Sequence, residues 1–418
     1  MASKPRTTIR SAPVPMLLDV APLARHRDFR LVFIGQLVSA LGNFFTYVAL
    51  PVQLYELTRS SWMVGLVSTV QLVPLAATAL LGGAFADAKD KRRLLLVCEA
   101  LLTCGSLTLA ANARLAHPSV LAIFVVAAFM SAVSGFHTPA LESLTPRLVP
   151  AGELTSVSAL TALRGTTAFI AGPALAGLSI ATFGLSATFV ADAATFAVSL
   201  ALLAAIRAIP PAEDAPAAGL SSIAHGLRYA ASRPELIGTY LVDLFAVGLA
   251  NPAAVFPALA SQWGGASGAG YLYSAMSVGG LLMTLTSGWT RGVRRHGAAV
   301  VVAAGVWGLA ITLLGFATSL PLALACLALA GAADMVSGLF RMTIWNETIP
   351  PSLRGRMAGI AQIAYMSGPL LGNARAGAMA DRFGLARSIV FGGAACVLAV
   401  GACVPVLPAF WRYRSAPE

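Results

Sequence analysis

Long apolar runs, separated by short breaks rich in Gly, Pro and Arg, occupy most of the chain. Each run has about 20 residues or more with few charges, which is the length an α-helix needs to cross the hydrocarbon core of a bilayer. The pattern therefore predicts an all-α polytopic membrane protein with twelve transmembrane helices, at approximately residues 30–57, 62–86, 93–113, 118–141, 155–181, 186–207, 235–260, 268–290, 297–317, 320–346, 355–381 and 385–411.

The runs fall into two groups of equal length. Six runs cover residues 30–207 and six cover 235–411, with one long polar segment, 208–234, between them. Short motifs recur in order in the two groups: Gly172-Pro173 as Gly368-Pro369, and Gly177…Phe183-Gly184 as Gly377…Phe383-Gly384. We therefore predict two pseudo-symmetric six-helix halves related by duplication, a linker at 208–234, and polar tails at 1–29 and 412–418.

The composition excludes an ordinary soluble domain. Hydrophobic residues make up 57% of the 418 residues and charged residues 11%, whereas a soluble domain is typically about 25% charged. The five cysteines all fall inside apolar runs, without metal-ligand spacing or a partnering His cluster. We interpret them as small packing residues.

The distribution of basic residues indicates the orientation of the chain. Of the 28 Lys and Arg, 21 lie in the tails, the linker and the connections on the same side, against four on the other side. Because cytoplasmic loops collect Lys and Arg, we predict that both termini and the linker are cytoplasmic. The basic residues are spread between apolar runs, which favours anionic membrane lipids over nucleic acid as their partners.

The connection between the second and third runs reads Gly83-Ala-Phe-Ala-Asp87-Ala88-Lys-Asp90-Lys91-Arg92. Together with the two six-helix halves, it resembles the major facilitator superfamily, whose pattern there is G-x-x-x-D-R-x-G-R-R. Ala88 and Asp90 depart from that pattern. The resemblance implies the major facilitator fold and a gating loop formed by Gly83, Asp87, Lys91 and Arg92, in which Asp87 releases a basic partner between conformations. A solvated turn that only fixes topology is the alternative.

The fifth run contains Gly172-Pro173-Ala-Leu-Ala176-Gly177, which is similar to the G-P-x-x-G-G element of superfamily antiporters, with Ala176 in place of one glycine. The proline bends the helix and the small residues let it lie against the other half. The resemblance implies a kinked seal that limits proton leak, with Gly368 and Pro369 as its counterpart. A generic kinked helix is the alternative.

Ionisable residues inside apolar runs each cost roughly 2.5 kcal/mol or more at the middle of a bilayer, and so usually face a partner or a cavity. Four lie towards the ends of their runs and are interpreted as boundary residues: Glu99, Glu142, Asp192 and Glu347. Six lie deeper: His137, Arg164, Asp243, Asp334, Arg341 and Arg375. We interpret Arg164 and Arg375 as members of structural ion pairs.

In the superfamily that the chain resembles, the first, fourth, seventh and tenth runs line the central path, which gives weight to Asn43, His137, Asp243, Asp334 and Arg341. Asp334 and Arg341 are seven residues apart and so share a helix face. Proton exchange needs a buried carboxylate that alternately takes up a proton and faces a cation, so we predict that Asp243 and Asp334 couple protons. Structural ion pairs are the alternative. His137 is either a proton carrier or a packing residue, and Glu142 is a further coupling candidate.

Walker, G-x-S-x-G and H-E-x-x-H motifs do not occur in the sequence. We therefore predict that the protein is not an enzyme, uses no metal or cofactor, and takes its energy from a proton gradient.

Residues 29–51, 189–196 and 353–357 resemble the enterobactin-exporter and macrolide-efflux group of the superfamily. That resemblance implies export of a hydrophobic or amphipathic small molecule, such as a drug, an antibiotic or a siderophore, across a bacterial cytoplasmic membrane in exchange for protons. The fold needs no second copy to form its path, so a monomer is expected. Two alternatives stay open: an importer or uniporter of the same fold, and a sensor or scaffold that transports nothing.

Overall fold

The computed structural model describes residues 19–88, 90–207, 228–350 and 354–414. The first half contains α1 (Arg27–Thr58), α2 (Ser61–Ala88), α3 (Lys91–Arg114), α4 (Val120–Leu144) and α5 (Leu154–Ala204). The second half contains α6 (Pro234–Ala250), α7 (Gly265–Leu285), α8 (His296–Leu314), α9 (Leu320–Thr348), α10 (Arg354–Phe383) and α11 (Leu385–Val406). No strand occurs among these residues. The all-α prediction is confirmed.

Short helices connect the long ones and are named here by their residues. They are Ala21–Arg25, Phe256–Ala260 and Pro408–Trp411, with 3-10 turns at Thr145–Leu148, Ala151–Glu153, Ala253–Val255 and Ser287–Gly292. Most of the predicted linker, residues 208–227, lies outside the described part of the chain. Its last residues pack onto the second half, where the Tyr229 hydroxyl donates to the Thr348 carbonyl at 2.9 Å.

Two recurring glycines form the same kind of turn in the two halves. Gly184 interrupts α5 with φ 81° and ψ 173°, and Gly384 separates α10 from α11 with φ 92° and ψ 155°. A positive φ of this kind is available to glycine and strained for other residues. The repeat seen in the sequence thus places equivalent turns at equivalent points of the chain.

The number of membrane crossings stays a prediction. In the described residues, nine helices are long and apolar enough to span a membrane. One of them is the 51-residue α5, which would be about 76 Å long if straight, more than twice the hydrocarbon thickness. The turn at Gly184 falls between the fifth and sixth predicted runs.

The helices form two bundles that meet along two crossing pairs. Within the first half α1 and α3 pack on α5, and α2 packs on α4; within the second half α9 packs on α7 and α8, and α6 packs on α10 and α11. Between the halves, α2 crosses α10 and α5 crosses α7. Large apolar side chains on the outer faces, such as Leu121 and Leu398, are 73% and 74% exposed, as expected for helices that face lipid.

Candidate functional site

An ion cluster lies between α6 and α9 in the second half. The Arg341 guanidinium contacts an Asp243 carboxylate oxygen directly, and its Nη2 lies 3.7 Å from Asp334 Oδ1. The side chains of Arg341 and Asp243 are 12% and 17% exposed, whereas that of Asp334 is 47% exposed. The structure therefore brings together three of the predicted path residues, two acids and one cation.

The two carboxylates of the ion cluster differ in what they can do. Asp243 is held by a close charge-assisted contact, which is among the stronger polar interactions in proteins. Asp334 is farther from the guanidinium and nearly half exposed. The pair between Arg341 and Asp243 therefore does not depend on the contact with Asp334.

A second polar cluster, which the sequence reasoning missed, fills the middle of the first half. Glu99 on α3 is 0% exposed, so its interpretation as a boundary residue was wrong. Its Oε1 accepts hydrogen bonds from Gln36 Nε2 on α1 at 2.7 Å and from Ser199 Oγ on α5 at 2.8 Å. His137 Nε2 on α4 lies 3.1 Å from the same oxygen. His137, predicted from its place on the fourth run, is thus part of a site rather than a lone path residue.

Asp192 forms a similar arrangement farther along α5. It is also 0% exposed, and its interpretation as a boundary residue was likewise wrong. Its Oδ2 accepts from Thr46 Oγ1 at 2.5 Å and from Ser106 Oγ at 2.7 Å. The distance of a residue from the end of an apolar run does not reveal which side of the helix faces the bundle, and this is why both carboxylates were misassigned.

The arrangements around Glu99 and Asp192 lie one above the other along the same two helices, α3 and α5. Glu99 and Ser106 are seven residues apart on α3, as are Asp192 and Ser199 on α5, a rise of about 10 Å along each helix. This seven-residue spacing was the signal in the sequence that could have found them. We call the following residues the polar ladder: Gln36, Thr46, Glu99, Ser106, His137, Asp192 and Ser199.

The remaining candidates lie apart from the two clusters. Asn43 is exposed on α1, and its place on the path stays a prediction. Glu142 at the end of α4 and Arg164 on α5 attract each other electrostatically, and their predicted roles, proton coupling for Glu142 and a structural pair for Arg164, stay predictions. Arg375 differs from its prediction: in the described part of the chain its Nη1 donates to the Ser388 carbonyl at 3.1 Å and approaches the Met379 sulfur, rather than a carboxylate.

The predicted gating loop is described only in part. Gly83 and Asp87 lie within α2, but their surroundings fall outside what the structure describes. Asp90 caps the N-terminus of α3 by accepting from the Arg92 backbone N–H at 2.9 Å. Arg92 Nε donates to the Leu203 carbonyl at 3.2 Å, at the C-terminal end of α5, where a cation is favoured. Lys91 is buried. The gating role of these residues stays a prediction.

In the predicted kink at residues 172–177, one of the two glycines makes a close contact with the other half. Gly172 and Pro173 are buried in α5, and a Cβ on Gly172 would meet Phe44 of the same half. Gly177 is the residue that reaches the other half, where it lies against the backbone of Gly270 on α7. Its role in limiting proton leak stays a prediction.

In the second half, too, the glycine beside the proline is not the one that contacts the other half. Gly368 has only an ordinary contact with Val247, 3.6 Å from where its Cβ would lie, and the Pro369 carbonyl accepts from Asn251 Nδ2 at 3.2 Å. Gly377, the repeat of Gly177, is the glycine that packs against the backbone of α2, at Ser61 and Gly65.

Polar and aromatic contacts join the halves at the end of the bundle that holds the connection between α1 and α2. Asp381 on α10 accepts from the Ser61 backbone N–H at 2.8 Å and from the Ser60 hydroxyl. Farther in, Asn373 Nδ2 donates to Ser68 Oγ at 3.1 Å, and the rings of Tyr47 and Tyr273 lie 5.5 Å apart. We call this the sealed end; it is opposite the end where α1 begins.

No group of three or more His, Cys, Asp or Glu side chains with metal-binding geometry occurs among the described residues.

Comparisons with known proteins agree with this architecture. A family model described as "transmembrane secretion effector" matches residues 18–411. The chain is 29% identical over 403 residues to the enterobactin exporter EntS of Shigella boydii serotype 18, covering 96% of this chain and 97% of that protein. This confirms the resemblance to a major facilitator transporter.

Solved structures show the same fold at low sequence identity. A POT family transporter, in complex with 5-aminolevulinic acid, matches with a TM-score of 0.73 and 11% identity, covering 92% of this chain and 97% of that one. The nucleoside transporter NupG matches with a TM-score of 0.71 and 15% identity, covering 92% and 98% of the two chains.

Proposed function

Because this chain belongs to the transmembrane secretion effector family of transporters, we propose that it exports a hydrophobic or amphipathic small molecule from the bacterial cytoplasm in exchange for protons. Similarity to an enterobactin exporter along 96% of the chain supports the direction of transport. Siderophores, drugs and antibiotics are the proposed substrate class. The distribution of Lys and Arg supports a cytoplasmic-membrane location with both termini in the cytoplasm.

The observation that carries the proton-coupling part is the unequal pair of carboxylates around Arg341. Asp243 neutralises the guanidinium at close range, and Asp334 lies 3.7 Å away with a half-buried side chain. Protonation of Asp334 leaves Arg341 bound to Asp243 alone. Loss of that proton lets the two acids compete for the cation, which changes the charge that a substrate meets on the path.

Transport then follows from the two-bundle architecture. The halves rock about a central site, and the sealed end opens when the contacts of Asp381 and Tyr47 separate. A proton changes the populations of the two states only if it binds them with different affinity. The proposal therefore requires that the distance between Asp334 and Arg341 differ between the two states. No cofactor takes part in the proposed cycle, and the proton gradient supplies the energy.

Inverted membrane vesicles with an acidic interior test the proposal, because export then appears as uptake. Enterobactin and ethidium serve as probes, and the variants are Asp243→Asn and Asp334→Asn. Glu56→Gln is the matched control, since Glu56 is an exposed carboxylate near the end of α1. We expect proton-driven accumulation in the wild type and the control, and its loss in at least one Asp variant.

Other outcomes point to the alternatives. Flux that only equilibrates a probe and moves no protons would identify a uniporter, and accumulation in the opposite orientation an importer. If the wild type moves neither probe in either orientation, the export proposal fails for both classes and a sensor or scaffold is favoured.

A further inference from the structure

The polar ladder places two fully buried carboxylates among four helices of the first half with little positive charge. The titratable and charged groups that contact its carboxylates are His137 on α4 and the carboxylates themselves on α3 and α5; α1 contributes the neutral Gln36 and Thr46. Glu99 and Asp192 interact electrostatically with each other. No Lys or Arg of the described residues forms an ion pair with either acid.

Such a cluster is costly when both acids are ionised. An unpaired ionised carboxylate in a low-dielectric interior is strongly disfavoured, and groups in that position usually take up a proton instead. One oxygen of each acid, Glu99 Oε2 and Asp192 Oδ1, receives no hydrogen bond from the described residues. The cluster has two carboxylates and one imidazole, which contacts Glu99 alone, so binding of a proton relieves part of the cost of burying the two acids.

His137 is the titratable member of the ladder whose side chain is partly exposed. Its side chain is 13% exposed, whereas that of Glu99 is 0% exposed, and its Nε2 is 3.1 Å from Glu99 Oε1. A proton that reaches the imidazole can pass along this contact to the carboxylate, which leaves neutral imidazole and a neutral carboxylic acid. The reverse transfer releases it.

From this geometry we infer that Glu99 binds a transported proton, with His137 relaying it between the central path and the buried carboxylate. This inference rests on the proposed proton-coupled export and adds a second proton site, in the half opposite the Asp243–Arg341–Asp334 cluster. Asp192 bonds to Thr46 and Ser106 and adds a second negative charge that acts on Glu99.

The ladder is also connected to the contact between the halves. Thr46, which donates to Asp192, is the neighbour of Tyr47, whose ring lies 5.5 Å from Tyr273 of the other half. Gln36, which donates to Glu99, lies on the same helix. Protonation of either acid weakens a charge-assisted bond to α1. Changes in ladder protonation therefore act on the helix that carries one face of the sealed end.

Reconstituted vesicles carrying the full chain test the inference, with ethidium as the probe and Glu99→Gln as the main variant. We expect Glu99→Gln to lose accumulation driven by a proton gradient while it keeps downhill ethidium flow, because the amide preserves the hydrogen bonds but cannot carry the proton. Glu99→Asp should keep a titratable group and regain part of the accumulation. Glu56→Gln should behave as the wild type.

Infrared difference spectra of the purified protein give a readout that does not depend on transport. A pH titration should show the carbonyl band of a protonated carboxylic acid, and Glu99→Gln should remove one such band while Glu56→Gln keeps it. His137→Gln should keep the band and slow its appearance after a pH jump. Thermal unfolding checks that each variant is folded.

The outcomes separate the two proposals. Proton-driven accumulation that survives in folded Glu99→Gln, or an unchanged carboxylic-acid band in that variant, overturns the inference alone. A wild type that moves ethidium without any proton dependence overturns the proposed coupling and the inference together.

Discussion

Arg341 shows how one residue can connect acids with different tasks. Its guanidinium presents several donors in a fixed plane, so it can contact Asp243 and approach Asp334 at the same time. A lysine ammonium is a compact point charge that lacks this planar fork. The local chemistry therefore favours Arg at this position over any other cation.

Replacing Arg341 alone should destabilise the protein more than replacing Arg341 and Asp243 together. Arg341→Gln leaves the partly buried Asp243 without its cation, and breaking such a pair costs about 3 kcal/mol. The double variant Asp243→Asn/Arg341→Gln removes both charges and should recover most of that loss. Thermal unfolding in detergent measures both, and a double variant no more stable than Arg341→Gln alone would show that the pair does not act as a unit.

Gly177 and Gly165 offer a matched comparison within one helix. A Cβ at Gly177 would collide with the backbone of Gly270, whereas a Cβ at Gly165 meets nothing within 4 Å. Gly177→Ala should force α5 and α7 apart and lower the unfolding temperature. Gly165→Ala should be neutral or stabilising by about 0.5–1 kcal/mol, since alanine is the better helix former. Equal effects of the two substitutions would argue against a close crossing.

At the scale of helices, the two inter-half crossings use the duplicated sequence in equivalent ways. Gly177 brings α5 onto α7, and Gly377 brings α10 onto α2. Small residues at such crossings let backbones approach where apolar burial gives no driving force within lipid. Asp381 breaks the symmetry, because the corresponding position in the first half, 181, is Ala. Polar closure of the sealed end thus comes from the second half.

Asp381→Ala should favour opening of the sealed end. The substitution removes the acceptor for the Ser61 backbone N–H at the start of α2, an interaction of the helix-capping kind worth about 1 kcal/mol. Asp381→Asn keeps an acceptor and is the matched control. Distances between spin labels at residues 59 and 387, measured after replacement of the five native cysteines, should lengthen in Asp381→Ala and not in Asp381→Asn. Identical distance distributions would exclude this role.

At the scale of the whole molecule, sequence and structure agree wherever the information is local. Apolar runs locate the helices, and the recurrence of Gly184 as Gly384 locates the turns between them. Asp334 and Arg341 could be placed on one face because they share a helix. The polar ladder could not be assembled in this way, because its contacts join residues 63 and 163 positions apart whose facing depends on how α1, α3 and α5 rotate against one another.

The distribution of charge over the molecule leads to a prediction about orientation. Both described ends of the chain lie opposite the sealed end, and 21 of the 28 basic residues belong to that side by the predicted topology. Lys and Arg are retained on the cytoplasmic side during insertion, so a fluorescent reporter fused after Glu418 should fold and fluoresce. Alkaline phosphatase fused after His117, in the connection between α3 and α4, should be active because the predicted topology places that connection on the outer side. We expect no phosphatase activity from a phosphatase fused after Glu418. We expect no fluorescence from the fluorescent reporter fused after His117. If these reversed fusions gave signals instead, the termini would lie outside the cell. The sealed end would then face the cytoplasm, and the proposed direction of transport would be reversed.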